Sequence, residues 1–331
     1  MKIIAILLAL TPSFIHKNIR RMMGASIGKG SRIRFGTILM SRKITIGKKT
    51  KIGPFSYVSA QELTIGNYSK IKILSAVSSR VITVGNYVHI SPLAIISGEH
   101  TENSIFKVGD HSRFFPFCWI ETGEGVTIGN NVGVGGHTLI FTHGVWSDYL
   151  DGGPVAFGPV TIKDNVWLPW RVFVMPNVTI GENAIIGANS TVTRSVADNV
   201  IAAGSPAKEL SKNALQELSN EEKQERIQHI LSSFSKEYNF KTGKQLQLSD
   251  NTLIGDNCKI IIDDHERAAN GDLVFLLNKK LSNPEIEKMT AKRISIINHQ
   301  DKTISIRARS DVYAQFVSFL RKYGIRLSTI E

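Results

Sequence analysis

The chain has 331 residues, 42% of them hydrophobic and 21% charged. That size and balance exclude disorder, collagen and a polytopic membrane protein, and they leave room for two domains. Two cysteines, Cys118 and Cys258, exclude a disulfide framework and a four-cysteine zinc site.

The net charge is +12, from 40 bases and 28 acids. No acid precedes Glu62, while residues 1–61 carry twelve bases, so the whole excess lies in the first fifth of the chain. A nucleic-acid binder spreads its bases over a reading surface, and no nucleic acid is expected here. A basic block at one end points instead to an anionic membrane surface. Residues 3–10 form an unbroken apolar run ended by Thr11-Pro12. A spanning helix needs roughly 20 apolar residues, so this run does not cross a bilayer. Lys2 and the run look like the start of a secretory signal, but Pro12, Phe14 and His16 stand where a small-residue cleavage site belongs. Residues 1–24 are therefore read as a short basic and apolar helix that packs on the next domain. Phe14, Ile15 and Ile19, with Lys17, Arg20 and Arg21, would face anionic lipid.

An aliphatic residue followed by Gly and then a polar residue recurs at Ile27, Ile46, Ile65, Val84, Val108, Ile128 and Ile180, with Ile162-Lys163-Asp164 as a further copy. Inside this period lies a six-residue beat: Ile162, Leu168, Val174, Ile180, Ile186 and Val192 stand in register. Short flat strands that each point one aliphatic side chain inward give this pattern, with a small or left-handed-tolerant residue at each turn. Three such strands close a triangular coil of about eighteen residues, and coils stack by parallel pairing.

Residues 27–208 resemble the hexapeptide-repeat acyltransferases. The resemblance implies a left-handed parallel β-helix over residues 25–210, so the fold class is mainly β. It also implies acetyl-CoA as co-substrate, and a homotrimer with the CoA groove between neighbouring β-helices.

Between Ile128 and Ile162 the spacing widens to 34. The inserted segment is rich in Gly and Asp and has Thr142-His143 at its root. Loops leaving a rigid coil commonly carry function. In the resembled family a Thr-His before such a loop carries the catalytic base, and His143 matches it. The chemistry suits imidazole, which can deprotonate a sugar hydroxyl as it attacks a thioester and then protonate the thiolate. An orienting carboxylate is expected at the other ring nitrogen. Glu121 and Glu124 both fall about one coil away, and Glu121 is chosen. Asp148 and Asp151 in the loop would hold the acceptor sugar.

The string from Asn165 to Lys208 is similar to the acyl-CoA groove of the same family. Gly187, Ala188, Gly204 and Pro206 would let a pantetheine arm lie against backbone, and Arg194 and Lys208 would meet the CoA phosphates. One departure stands out. Trp167-Leu168-Pro169-Trp170 puts Trp170 where the family has a small residue whose N–H meets the acyl carbonyl; Trp170 keeps that N–H, and its side chain would wall the acyl pocket or the acceptor site.

Other chemistries fit less well. His137 and His143 are six apart, on successive faces, and His89 and His111 share no register with them, so no metal is expected. Cys118 has no evident base partner. Direct transfer is preferred to an acyl-enzyme.

Periodicity stops near Leu210, and residues 211–331 read as an α+β domain of unknown role. A helix is predicted over residues 213–238 and another over 311–323 stopped by Gly324. Strands are predicted over 259–262, 273–277, 294–298 and 303–308, with a hairpin turn at Asn298-His299-Gln300-Asp301. Leu253-Ile254-Gly255-Asp256-Asn257 mimics the repeat in isolation. Asp263-Asp264-His265 is read as a surface turn rather than a metal site.

The expected function is transfer of acetyl from acetyl-CoA to a sugar hydroxyl of a bacterial surface polysaccharide or its lipid-linked precursor, with His143 as base. The expected location is cytoplasmic, including the inner face of the membrane. Two alternatives remain open: a non-catalytic trimeric β-helix scaffold, and an N-acetyltransferase acting on an amino-sugar nucleotide.

Overall fold

The computed structural model describes residues 2–98, 100–145, 147–255, 258–278, 281–307 and 310–330. The chain divides into two compact units, Met1–Gln216 and Glu217–Glu331.

The first unit begins with two helices rather than the one expected: α1, Lys2–Ala9, and α2, Ser13–Met22. Pro12 caps α2 and cannot continue α1, because it has no N–H and its ring clashes with the preceding turn. α1 buries Ala5, Leu8 and Ala9 and exposes Ile3 and Leu7, and Leu10 just after it is exposed too. α2 buries His16 and Arg20. The Arg20 guanidinium donates to the Leu39 carbonyl, and that of Arg21 to the Ile27 carbonyl at 2.5 Å. This corrects the lipid-facing patch drawn from the sequence. Arg20 ties α2 to the first coils and is not at the surface.

The coils that follow form a parallel β-helix. The aliphatic column of the repeat becomes a physical column. Ile27, Ile46, Ile65, Val84, Val108, Ile128, Ile162 and Ile180 pair in register from coil to coil, and all are buried. Each removes most of an aliphatic side chain from water, worth about 1.5–3 kcal/mol before chain entropy is counted.

The glycine after each aliphatic residue does not make the turn. A Cβ on Gly66 would lie 2.6 Å from the backbone of Gly85, and one on Gly47 2.6 Å from that of Gly66. At these positions glycine is required because the next coil's backbone lies against it. The left-handed turn residue comes two positions later. Lys49, Tyr68, Tyr87, His111, Asn131, Asn165, Asn183 and Asn199 take φ between 55 and 60°. Asn bears this conformation most easily. At Tyr68, Tyr87 and His111 the rings stack in a file at 4.9 and 4.8 Å, which offsets part of the backbone cost. The polar residue after the glycine forms a ladder of its own. Asn67, Asn86, Asp110, Asn130 and Asp164 each accept from a backbone N–H one coil back, at 2.7–2.8 Å.

The wide spacing before Ile162 holds an antiparallel hairpin, His143–Val145 with Val155–Phe157; Trp146 in its loop lies outside the described residues.

The second unit has a seven-stranded sheet ordered as in the sequence, from Gln247–Ser249 to Ser328–Thr329. Its middle strands Cys258–Ile262, Leu273–Leu276 and Ser295–Asn298 are parallel. Among the described residues three α-helices accompany it: α3, Asn220–Thr242, α4, Asn283–Ala291, and α5, Asp311–Leu320. The helix predicted from residue 213 starts later, because Ser219 and Glu222 form a capping box that fixes the first turn. α4 and the strands Gln247–Ser249 and Thr252–Gly255 were not anticipated. The repeat-like Leu253-Ile254-Gly255 belongs to an antiparallel pairing instead of a coil; Asp256 and Asn257 lie outside the described residues. Asp263 caps the Leu277 N–H at 2.6 Å, while His265 pairs with Glu285 at 3.1 Å, so this triplet points in different directions.

Candidate active site

The strands Trp119–Glu121 and Leu139–Ile140 pair in register, Ile120 against Ile140. That puts Glu121 on the coil before Thr142 and His143. Ile120 is inward and buried. The chain then turns an edge of the coil, and the hairpin departs at His143.

Four donors converge on the Glu121 carboxylate. One oxygen accepts from the Gly123 N–H at 2.5 Å. The other accepts from the Thr142 N–H at 3.2 Å, from the Thr142 hydroxyl, and from Nδ1 of His143 at 2.9 Å. Burial alone would raise the pKa of Glu121. The hydrogen bonds from Thr142, His143 and Gly123 outweigh it and hold the carboxyl below the ordinary range. An ionised carboxylate has only acceptors, so the Nδ1 facing it carries the proton. In the neutral tautomer with that proton, Nε2 is the nitrogen with a lone pair. The Glu121 side chain is 11% exposed and that of His143 48%, so the imidazole is open to solvent while the carboxylate is not. The Phe157 ring stacks on the imidazole at 6.3 Å.

Glu124 has another role. It bonds the Asn103 side chain at 2.8 Å, and its N–H donates to the Thr142 hydroxyl at 3.0 Å. Thr142 was singled out only as the neighbour of His143, and Gly123 not at all; together they fix the carboxylate. Asp148 accepts from the Leu150 N–H at 2.8 Å, so it shapes its own loop. It and Asp151 are exposed.

The remaining candidates divide between two edges of the coil. Gly187 and Ala188 follow the strand Ile185–Ile186, with Gly204 one coil on at the end of Ile201–Gly204. A Cβ on Gly187 would lie 2.5 Å from that of Ala203. Gly204 has φ of 105° and its N–H donates to the Ser190 hydroxyl at 3.0 Å. Pro206 follows, and Lys208 pairs back against Ala203. Trp170 stands one coil before Ala188, but its indole lies back over Gly136, near His137 and Phe115. Its backbone N–H meets no acceptor among the described residues. Arg194 is on the other edge. Ile140, Val174 and Val192 are in register, so Arg194 follows its strand as Thr142 follows its own, two coils away. Among the described residues, no group of three or more His, Cys, Asp or Glu could hold a metal ion.

Residues 159–194 match the family model described as Bacterial transferase hexapeptide (six repeats). The match covers the stretch that holds Ile162, Leu168, Val174, Ile180, Ile186 and Val192. It is 43% identical over 89 residues to a putative acetyltransferase of Schizosaccharomyces pombe, covering 26% of this chain and 43% of that one. It is 44% identical over 85 residues to the galactoside O-acetyltransferase of Escherichia coli, covering 25% and 42%. The chain thus spans under half the length of these curated relatives. A galactoside acetyltransferase solved in complex with coenzyme A aligns with 27% identity and a TM-score of 0.35, over 42% of this chain and 70% of that one.

Proposed function

We propose that this hexapeptide-repeat protein transfers an acetyl group from acetyl-CoA to a sugar hydroxyl of a surface polysaccharide or its lipid-linked precursor. The observation that carries the reading is the Glu121–His143 pair, with a half-exposed imidazole at the root of the inserted hairpin. Nε2 takes the hydroxyl proton as the acceptor oxygen attacks the thioester carbonyl. Glu121 stabilises the imidazolium that forms. The tetrahedral intermediate then collapses, the C–S bond breaks, and the same proton passes to the leaving thiolate. The relatives named as O-acetyltransferases support this choice over a non-catalytic scaffold. An amino-sugar acceptor would use the same base.

The pantetheine arm would lie along Gly187, Ala188, Gly204 and Pro206, where side chains are small or absent. Lys208 and Arg194 would meet phosphates, and the Trp170 N–H would face the acyl carbonyl. Gly187 and His143 lie on different edges of the β-helix, two coils apart, which favours a cyclic trimer in which one copy's groove meets the next copy's histidine. Asp148 and Asp151, on the exposed hairpin, would contact the acceptor.

No described helix is long and apolar enough to cross a membrane. Peripheral attachment would rest on the exposed Ile3, Leu7, Leu10 and Phe14 rather than on Arg20.

Calorimetric titration with CoA tests the groove. Wild type and His143→Ala are expected to bind alike, whereas Gly187→Trp loses binding at least tenfold. Undiminished binding by Gly187→Trp would move the CoA site elsewhere.

A further inference from the structure

We propose that the outer face of one side of the β-helix is a track for a linear, negatively charged glycan lying parallel to the coil axis. The choice of a glycan among polyanions rests on the transfer reading above.

The first observation is a single file of bases. In the strands Arg32–Ile33, Lys51–Ile52, Lys70–Ile71, His89–Ile90 and Arg113–Phe114 the second residue points inward and is buried. The first points outward. Arg32, Lys51, Lys70, His89 and Arg113 are direct partners in register. All but the half-buried His89 are exposed. Neighbouring strands lie about 4.8 Å apart, so the file runs roughly 19 Å along the axis. Arg32, Lys51, Lys70 and Arg113 thus set four cations along one face, with His89 in the file between Lys70 and Arg113.

A groove of about 580 Å³ lies beside this file. Arg34, Lys51, Lys70 and Lys72 line it together with the apolar Phe35 and Ile73. Bases with apolar surface between them suit a sugar chain, whose rings present C–H faces and whose substituents carry charge.

The file also leads somewhere. After Arg113 the same column continues through Gly133 to Trp167, and the Trp167 ring covers Gly133. Phe115 lies 6.0 Å from Trp167 and 6.2 Å from Trp170, with the Arg113 guanidinium 5.1 Å above its ring. Both indoles are partly exposed. One coil beyond Trp170 is Ala188 of the proposed CoA groove. A chain held by the file would therefore reach an aromatic platform beside the transfer chemistry.

Direction separates this reading from a membrane contact. A flat anionic surface meeting the N-terminal end would touch only the first coils, whereas the file runs away from that end. A polyanion laid along the axis meets every base in turn and releases its counterions as it does.

The test uses the full-length protein without acetyl-CoA. The probe is an α-1,4-linked oligogalacturonate, compared with a maltooligosaccharide of equal length, a single-stranded oligothymidylate and vesicles containing phosphatidylglycerol. Wild type is expected to bind oligogalacturonate and not the maltooligosaccharide, with affinity falling steeply as salt rises. Lys51→Gln/Lys70→Gln is expected to weaken binding at least tenfold and to flatten the salt dependence. Trp167→Ala should weaken it several-fold with the salt dependence kept. Equal binding by the double variant overturns the proposal, as does tighter binding of oligothymidylate or vesicles than of the acidic glycan. His143→Ala should bind the probe as wild type does. Loss of transfer and loss of the track are thereby read separately.

Discussion

Replacing His143 with alanine is expected to lower kcat for acetyl transfer by about 10²–10⁴-fold, the usual contribution of a positioned general base. The effect should fall on kcat and kcat/KM together, because the proton moves only in the transition state. Thermal stability should hardly change. The His143 side chain is 48% exposed, and its contacts are one hydrogen bond to Glu121 and the face of Phe157. The Glu121 carboxylate keeps its three other donors, from Gly123 and Thr142, when the imidazole is gone. Steady-state kinetics at saturating acetyl-CoA, with a melting curve of the same preparation, check both halves. A variant that loses only apparent affinity would make His143 a binding residue.

Glu121→Ala is expected to cost about ten- to a hundredfold in kcat, in line with other carboxylates that orient a histidine. Unlike the histidine variant, it should also lower Tm. It strands the N–H of Gly123 and both donors of the buried Thr142, at roughly 1–3 kcal/mol for each group left unsatisfied. The pair of variants thus separates a group that does chemistry from one that positions it. The pH dependence follows from the depressed pKa of Glu121. The unfolded carboxyl titrates near 4.5 and the folded one below it. The stabilisation is therefore complete at neutral pH and is lost as pH falls through the folded value. The Tm gap between wild type and Glu121→Gln should stay level down to about pH 5 and close below it. A gap that widened in acid would mean the folded carboxyl is protonated.

The β-helix was legible because its core uses one aliphatic residue per six, and its coils bury Ile162, Leu168, Val174, Ile180, Ile186 and Val192 together. The meaning of the glycines was less legible. A glycine between an aliphatic and a polar residue reads as a turn, and only the stacked backbone of the next coil shows that it is a close approach. The turn itself is hidden at residues such as Tyr68 and His111, whose side chains give no local sign of a left-handed backbone.

Glu121 and Glu124 are three apart and equivalent by composition. Register decides between them, since Ile120 against Ile140 brings Glu121 under Thr142 and sends Glu124 toward Asn103. Arg20 reads as one of three surface bases, yet one turn of helix separates it from Lys17 and burial against Leu39 changes its role. In the C-terminal unit the sheet strands were visible as β-branched runs. α4 was missed because its nine residues carry a short, mostly polar face.

The central claim is acetylation of a hydroxyl, and isotope transfer tests it most directly. The protein is incubated with trideuteroacetyl-CoA and the surface glycan of the organism that makes it, and the glycan is then analysed by mass spectrometry before and after mild base. Label that mild base removes, as an ester requires, is expected on the glycan, and none with His143→Ala. Label that survives mild base would mark an amide, and absence of label on the glycan with wild-type protein would contradict the claim.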